Sequence, residues 1–407
     1  MLFTRTSLLA SILFAFTVLG CSTTPETKLE TKLETPVPPT VALPPVIAKA
    51  PPVAVFKTAK VLRPTTYAAL PGWDKDDLRE AWPAFLNSCE VLVKRPEWEA
   101  PCAIASNMNR ADGKAIRTFF ETQFAPHQVL NPDGSDDGLV TGYYEPLLRG
   151  SRKRGGIFQT PLHRVPEDML RIDLADVYPE LKTMRLRGRL DGNKIVPYYS
   201  RAEMMQLKTL TGKELVWVDD PIEAFFLQVQ GSGRVSLSDT KETVRIAYAD
   251  QNGHPYKSIG RYLVDRGEMT LDQASAQSIK AWYAANPLRQ QELLNANPSY
   301  VFFREEKLTN PNKGPKGSLG VPLTPQRSIA VDVQFIPLGV PVFLATTQPN
   351  SEARLQRLML AQDTGGAIKN AVRADYFWGF GRQAGEQAGR MKQRGRMWVL
   401  LPKPVPQ

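Results

Sequence analysis

Three aspartates in the C-terminal part of the chain sit where a carboxyl group could carry a proton. Asp332 interrupts the apolar run Ile329-Ala-Val-Asp-Val. Asp363 follows Leu358-Met-Leu-Ala-Gln and opens the turn Thr364-Gly365-Gly366. Asp375 immediately precedes Tyr376-Phe377-Trp378-Gly379. Apolar and aromatic neighbours disfavour the charged form of a carboxyl and raise its pKa. An unperturbed aspartate titrates at about 3.9, so only a raised one can act as a general acid near neutral pH. Aspartates also cap turns by accepting backbone N–H bonds, and for Asp332 the two readings stand level. The three aromatics beside Asp375 favour it as the acid/base.

Two further runs suit a sugar. Thr141-Gly-Tyr-Tyr-Glu-Pro offers the faces of Tyr143 and Tyr144 to apolar C–H surfaces and their hydroxyls to sugar hydroxyls. An ordinary half-buried strand would read the same way. Gln228-Val-Gln-Gly-Ser-Gly, read as a strand, puts Gln228 and Gln230 on one face. Their amides can meet N-acetyl and hydroxyl groups, and Gly231, Ser232 and Gly233 would let a ligand approach the backbone. The alternative is a polar strand face ending in a turn. This is no phosphate loop, since no Lys-Ser/Thr follows with the right spacing. The three histidines, His127, His163 and His254, lie far apart, so no metal site and no cofactor is implied. No Gly-x-Ser-x-Gly elbow occurs. Asp363-Thr-Gly looks like half of an aspartic-protease site, which needs two carboxylates sharing a proton; with one such triplet, that chemistry would require a dimer.

The elements that must position these residues follow from periodicity. Residues 76–94 place Leu78, Trp82, Phe85, Cys89 and Leu92 at helical spacing, with Pro83 either a kink or a second start. Residues 107–124 read as another helix, and 271–286 as a third. Short β-type runs cover 139–144, 215–218, 225–229, 244–248, 329–333, 340–344, 357–361 and 397–401, separated by Gly, Pro and Asp. Short strands with frequent turns argue for barrels rather than a doubly wound sheet.

The start of the chain is an address. Arg5 precedes an apolar stretch, 8–19, as in a secretion signal. Val18-Leu19-Gly20-Cys21 is lipobox-like, which makes Cys21 the lipidated residue after cleavage. Ser22 in place of Asp favours the outer membrane, with the protein facing the periplasm. Several acyl chains, at about 0.8 kcal/mol per buried methylene, make a stable anchor. Residues 21–65 are rich in Pro, Thr, Ala and Lys and read as an extended tether. Cys89 and Cys102 remain, and an oxidising compartment favours a disulfide over two buried thiols. The formal charge is +10 in 407 residues. That suits an anionic polymer. Export excludes nucleic acid as the partner and leaves peptidoglycan, whose lactyl-peptide carboxylates fit both charge and address.

From about Tyr67 to Pro402 the chain resembles the membrane-bound lytic murein transglycosylase A family. The resemblance rests on Thr141-Gly-Tyr-Tyr-Glu-Pro, on the run from Trp217 through Pro221-Ile-Glu-Ala-Phe-Phe-Leu-Gln-Val-Gln-Gly-Ser-Gly, on Tyr248-Ala-Asp-Gln-Asn-Gly-His-Pro-Tyr, on Gly320-Val-Pro-Leu-Thr-Pro, and on Asp363-Thr-Gly-Gly-Ala-Ile-Lys with Arg373-Ala-Asp-Tyr-Phe-Trp-Gly. The last segment also looks like the three-aspartate domain of cell-wall lytic proteins. The resemblance implies a mainly β fold with α: a double-psi β-barrel domain from 66–145 and 305–402, a smaller β-rich domain inserted at 146–304, and a substrate groove between them. It maps the catalytic aspartate onto Asp375, a supporting one onto Asp363, and groove positions onto Thr141, Gln228 and Gln230; Tyr143, Tyr144, Gly231, Ser232 and Trp378 complete the expected substrate site. One departure is visible: Asn370 stands where the family has Gly, and Asn tolerates the left-handed conformation that such a turn needs.

The chemistry this implies needs no water. Asp375 protonates the oxygen between N-acetylmuramic acid and N-acetylglucosamine, then takes the proton of the muramic C6 hydroxyl as that oxygen closes on C1. Two rivals remain: an inverting hydrolase, with Asp332 or Asp363 as second carboxylate, and a lipid-tethered wall-binding module without activity. Expected partners are glycan strands, the membrane through the lipid, and cell-wall synthesis or division proteins.

Overall fold

The computed structural model describes residues 61–108, 112–308 and 310–404. The expected signal peptide, the lipidated Cys21 and nearly all of the expected tether lie outside the described residues. Strand β1 (Leu62–Pro64) is followed by helices α1 (Trp82–Leu92), α2 (Pro96–Asn107) and α3 (Gly113–Gln123), then strands β2 (Phe124–Val129) and β3 (Gly138–Glu145). Next come β4 (Leu147–Ser151), β5 (Thr160–His163), β6 (Leu170–Arg171), β7 (Arg187–Asp191), β8 (Lys194–Pro197), α4 (Arg201–Leu207), β9 (Glu214–Val218), α5 (Pro221–Gln230), β10 (Ser232–Leu237) and β11 (Thr243–Gln251). Helices α6 (Ile259–Asp265), α7 (Ala276–Ala285) and α8 (Gln290–Asn295) lead to β12 (Val301–Lys307). The chain ends with β13 (Ser328–Ala330), β14 (Pro341–Thr347), β15 (Arg354–Asp363), β16 (Arg373–Phe380), α9 (Gly381–Arg390) and β17 (Lys392–Pro402).

The fold is mixed α/β with several sheets. The largest sheet runs β1-β2-β17-β14-β15-β13-β16-β3, and β3 also pairs with β17. Six strands, β17, β14, β15, β13, β16 and β3, therefore close on themselves. Closure removes free sheet edges. The β13–β15 and β16–β3 pairs are parallel and the other four antiparallel. β14 is buried along almost its whole length and shares one apolar cluster with the aromatic layer of α1–α3. That layer stacks Trp82, Phe85, Phe119, Phe120 and Phe124 edge to face at 5–6 Å. A disulfide between Cys89 and Cys102 joins α1 to α2, with Cα atoms 5.4 Å apart.

A second six-stranded sheet, β12-β11-β10-β4-β9-β5, and a three-stranded one, β6-β7-β8, are drawn wholly from residues 147–307. Val216, Val218, Val235, Ile246 and Phe303 form the core of the larger one.

Several expected elements move. Residues 225–229 are helix, not strand. Asp220 caps α5 by accepting from the backbone N–H of Ile222 and Glu223, Pro221 pre-sets the first turn, and Gly231 ends it at φ 81°. The helix is sandwiched: Ile222 and Phe225 face one apolar cluster, Ala224 and Leu227 another. Burial on two sides fills the run with apolar residues and hides its period. The folded part begins earlier than Tyr67: Leu62–Pro64 pair antiparallel with His127–Val129, and Val61 is buried beside them. The first predicted helix begins at Trp82, with Pro83 in its opening turn, so the proline marks a start and not a kink. Ile329–Val333 shortens to Ser328–Ala330, which leaves Asp332 in a turn.

Candidate active site

β16 carries Asp375 into the seam between β13 and β3. In the register, Asp375 lies opposite Thr141 on one side and Ala330 on the other. Partners in a parallel pair share a face, and the Thr141 hydroxyl donates to Asp375 Oδ1 at 2.6 Å. Arg373, two residues earlier in the same strand and so on the same face, donates from Nη2 to Thr141 Oγ1 at 2.9 Å. Oδ2 of Asp375 receives no hydrogen bond among the described residues. Burial raises the Asp375 pKa; the Thr141 hydrogen bond and the Arg373 charge pull it down, and the Asp363 charge pushes it up again.

Asp363, at the end of β15, has a different environment. Its Oδ1 accepts from the Ser318 backbone N–H, the Ser318 hydroxyl and the Thr364 N–H, each at 2.9 Å, and its Oδ2 from the Tyr143 hydroxyl at 3.1 Å. Burial raises this pKa too, with all four donors opposing. The two carboxyls thus divide. Four donors occupy Asp363, and protonating it would set a new O–H against them. Asp375 keeps one oxygen clear and can load and unload a proton there. Among the described residues no three His, Cys, Asp or Glu side chains group as metal ligands.

The remaining expected residues scatter around this centre. Burial first, then the charges of Asp363 and Asp375, push the Tyr143 pKa well up, and its ring is buried against Phe377 at 5.1 Å among Leu323, Ala330 and Ile368. It is a positioning donor with no free face for a sugar. Tyr144 is half-buried, packed over Gly385 of α9. Trp378 is half-buried, its indole N–H 3.2 Å from Met391 Sδ and its ring 4.8 Å from that of Tyr376. Gly142 makes that packing possible, since a Cβ there would fall 2.7 Å from Trp378 Nε1 and 2.9 Å from the Ala388 backbone. The two glutamines do not share a strand face. Gln230 accepts from the Tyr144 N–H at 3.0 Å and ties α5 to β3. Gln228 is buried, taking Arg201 Nη2 at 2.8 Å, away from the aspartates. Gly231 is the helix cap, and buried Ser232 reaches Glu145 Oε1 at 3.4 Å. Asp332 holds a turn: its carboxylate accepts from the N–H groups of Gln334 and Asn370, both at 3.1 Å. Asn370 has φ 107°, the conformation for which the family's glycine would serve.

Arg373, Ser318 and Glu145 were not singled out in the sequence. Arg373 carried a signal, since its spacing from Asp375 puts both on one strand face. Ser318 is 45 residues from Asp363 in an irregular segment and carried none. Glu145 is fully buried, bonded to Arg234 Nε at 2.8 Å and Arg245 Nε at 2.6 Å; those guanidiniums also hold the carbonyls of Pro311 and Lys313, five residues before Ser318.

Comparison with known proteins supplies a second line. A family description, the MltA specific insert domain, matches residues 139–304, and a second, the 3D domain, matches 327–401. The membrane-bound lytic murein transglycosylase A of Escherichia coli K12 is 34% identical over 284 residues, 68% of this chain and 69% of that protein. Among solved structures, the lytic transglycosylase LtgG of Burkholderia pseudomallei is 50% identical with a TM-score of 0.58, covering 86% of this chain and 97% of that one. The E. coli MltA structure with bound chitohexaose is 27% identical with a TM-score of 0.62, covering 81% and 91%.

Proposed function

The chain belongs to the membrane-bound lytic murein transglycosylase A family, and on that premise we propose how its residues act. The protein is a peptidoglycan lytic transglycosylase. It cleaves the β-1,4 bond from N-acetylmuramic acid to N-acetylglucosamine and leaves a 1,6-anhydromuramic end. Protonated Asp375 gives its proton to the N-acetylglucosamine O4 as the bond to muramic C1 breaks. Positive charge develops at C1, and the Asp375 carboxylate and the nearby Asp363 carboxylate stabilise it. The C6 oxygen of the same sugar then bonds C1, and its proton passes to Asp375, which returns to its starting state. The observation that carries this reading is the oxygen of Asp375 that accepts no hydrogen bond among the described residues, beside an Asp363 with a donor on each oxygen and four donors in all.

The closed six-stranded ring with two parallel pairs supports a double-psi barrel, and the 147–307 sheets support an inserted second domain. Glycan would lie in a groove between them, over Tyr144 and Trp378. Lipidation at Cys21, anchoring in the outer membrane facing the periplasm, and binding of cell-wall synthesis or division proteins belong to the same reading. An inverting hydrolase needs a base roughly 6.5–9.5 Å from the acid; Asp332, bound to two backbone amides, and Asp363, bound to four donors, are poor bases.

Mass spectrometry of products from purified sacculi decides the matter. Fragments lacking one water and a reducing end are expected. Fragments with a free reducing muramic end would establish hydrolysis, and intact sacculi with bound protein would establish a binding module.

A further inference from the structure

We propose that Arg373 is a positioning residue that sets which oxygen of Asp375 carries the catalytic proton. The proposal rests on the assignment of Asp375 as the acid/base. Arg373 Nη2 donates to Thr141 Oγ1 at 2.9 Å, and Thr141 donates to Asp375 Oδ1 at 2.6 Å. A guanidinium has no acceptor and never gives up its proton under these conditions. It therefore occupies a lone pair of the hydroxyl permanently. A hydroxyl polarised in this way is a poor acceptor and a strong donor, so its hydrogen points to Oδ1. Oδ1 becomes a dedicated acceptor, and the proton rides on Oδ2.

The same oxygen then serves both steps, giving the proton to the leaving O4 and receiving it from the C6 hydroxyl. Without Arg373 the Thr141 hydroxyl can rotate, and Oδ1 can hold the proton as a donor to Thr141, where it cannot reach substrate. The arginine is itself fixed in place, since it is only 9% exposed and its Nη1 donates to the Ala374 carbonyl. The groups facing Asp375 are Thr141 and Tyr143 from β3, Arg373 from its own strand and Asp363 from β15.

The test compares Arg373→Gln, which keeps a donor without the charge, Arg373→Met, which keeps neither, and Thr141→Val, alone and combined with Arg373→Met. Turnover is measured on isolated glycan strands across pH, and folding by thermal unfolding. Arg373→Met should lower kcat by about 10- to 100-fold, the range expected when a reacting group is slightly misplaced, with KM changed less than threefold. Arg373→Gln should recover most of that loss. In the Thr141→Val background, Arg373→Met should cost no more than threefold further, because the route runs through Thr141. The basic limb of the pH profile should move up in Arg373→Met, where a nearby positive charge is gone.

Equal kcat in Arg373→Met and the wild type, or full additivity with Thr141→Val, would overturn the proposal. If Arg373→Met does not fold, a tenfold or larger loss in Arg373→Gln that persists with Thr141→Val overturns it in the same way. The assignment of Asp375 is read separately. Asp375→Asn with retained turnover would sink that assignment, whatever the Arg373 variants do.

Discussion

The proton transfer proposed for Asp375 depends on an unoccupied oxygen and on a pKa high enough to keep a proton there. Asp375→Asn removes the proton and should reduce strand cleavage below detection by product mass spectrometry, a loss of at least about 10²-fold on the usual scale of general acid catalysis. The variant should also report on the cost of the site. Burial raises the folded-state pKa of Asp375 above its unfolded value. Between those two pKa values the folded state binds more protons, so stability falls as pH rises through the window. Asn does not titrate. Asp375→Asn should therefore unfold at a higher temperature than the wild type at neutral pH, and at the same temperature or lower near pH 3. A lower midpoint at neutral pH would contradict a buried carboxyl whose charged form is disfavoured.

At the scale of elements, the same rules predict where the fold is brittle. The Cys89–Cys102 disulfide closes a short loop, 13 residues apart in sequence, between α1 and α2. Replacing both cysteines by serine should cost about 2–4 kcal/mol in chemical unfolding, with cleavage activity retained, because the hydrogen bonds that hold Asp375 come from β3 and β16 and not from α1 or α2. The legibility of these elements in the sequence follows from how they are buried. Strands with one clear apolar stretch, such as β3, β9 and β14, could be read directly, and Asp375 stood out by its aromatic neighbours; Asp363 and Thr141 came from the family resemblance, which put Thr141 on the substrate, whereas its hydroxyl donates to Asp375. Helix α5 could not, because packing on two sides removed its periodicity. Its caps, Asp220 and Gly231, were in plain view and outweigh the β-like composition of the run. The error at α5 carried Gln228 and Gln230 with it: a strand would aim both the same way, whereas the helix sends Gln230 to β3 and Gln228 into the interior. Ser318 shows the other limit. Its partner is fixed by a long irregular return of the chain, which no local pattern encodes.

Across the whole molecule, one buried carboxylate joins the parts. Glu145 ends β3, the strand that carries Thr141, and it is clamped by Arg234 of β10 and Arg245 of β11 in the other sheet. Both arginines go on to hold the returning chain at Pro311 and Lys313, and that chain brings Ser318 to Asp363. Arg234 also lies 4.0 Å over the Phe380 ring at the end of β16. A buried ion of this kind adds little over a well-packed apolar substitute, but removing one partner strands the others. Glu145→Gln should therefore cost about 3–5 kcal/mol in chemical unfolding, the range for breaking a buried pair. Its effect on catalysis should exceed what the lost stability explains. With the protein held well below its unfolding midpoint, kcat should still fall, because the Ser318 donors to Asp363 lose their anchor. Glu145→Leu, with Arg234→Met and Arg245→Met, restores an apolar junction and should recover much of the stability but not kcat, since the carbonyls of Pro311 and Lys313 then have no guanidinium to hold them. Recovery of both together would mean that Glu145 serves stability alone and that Ser318 reaches Asp363 without it.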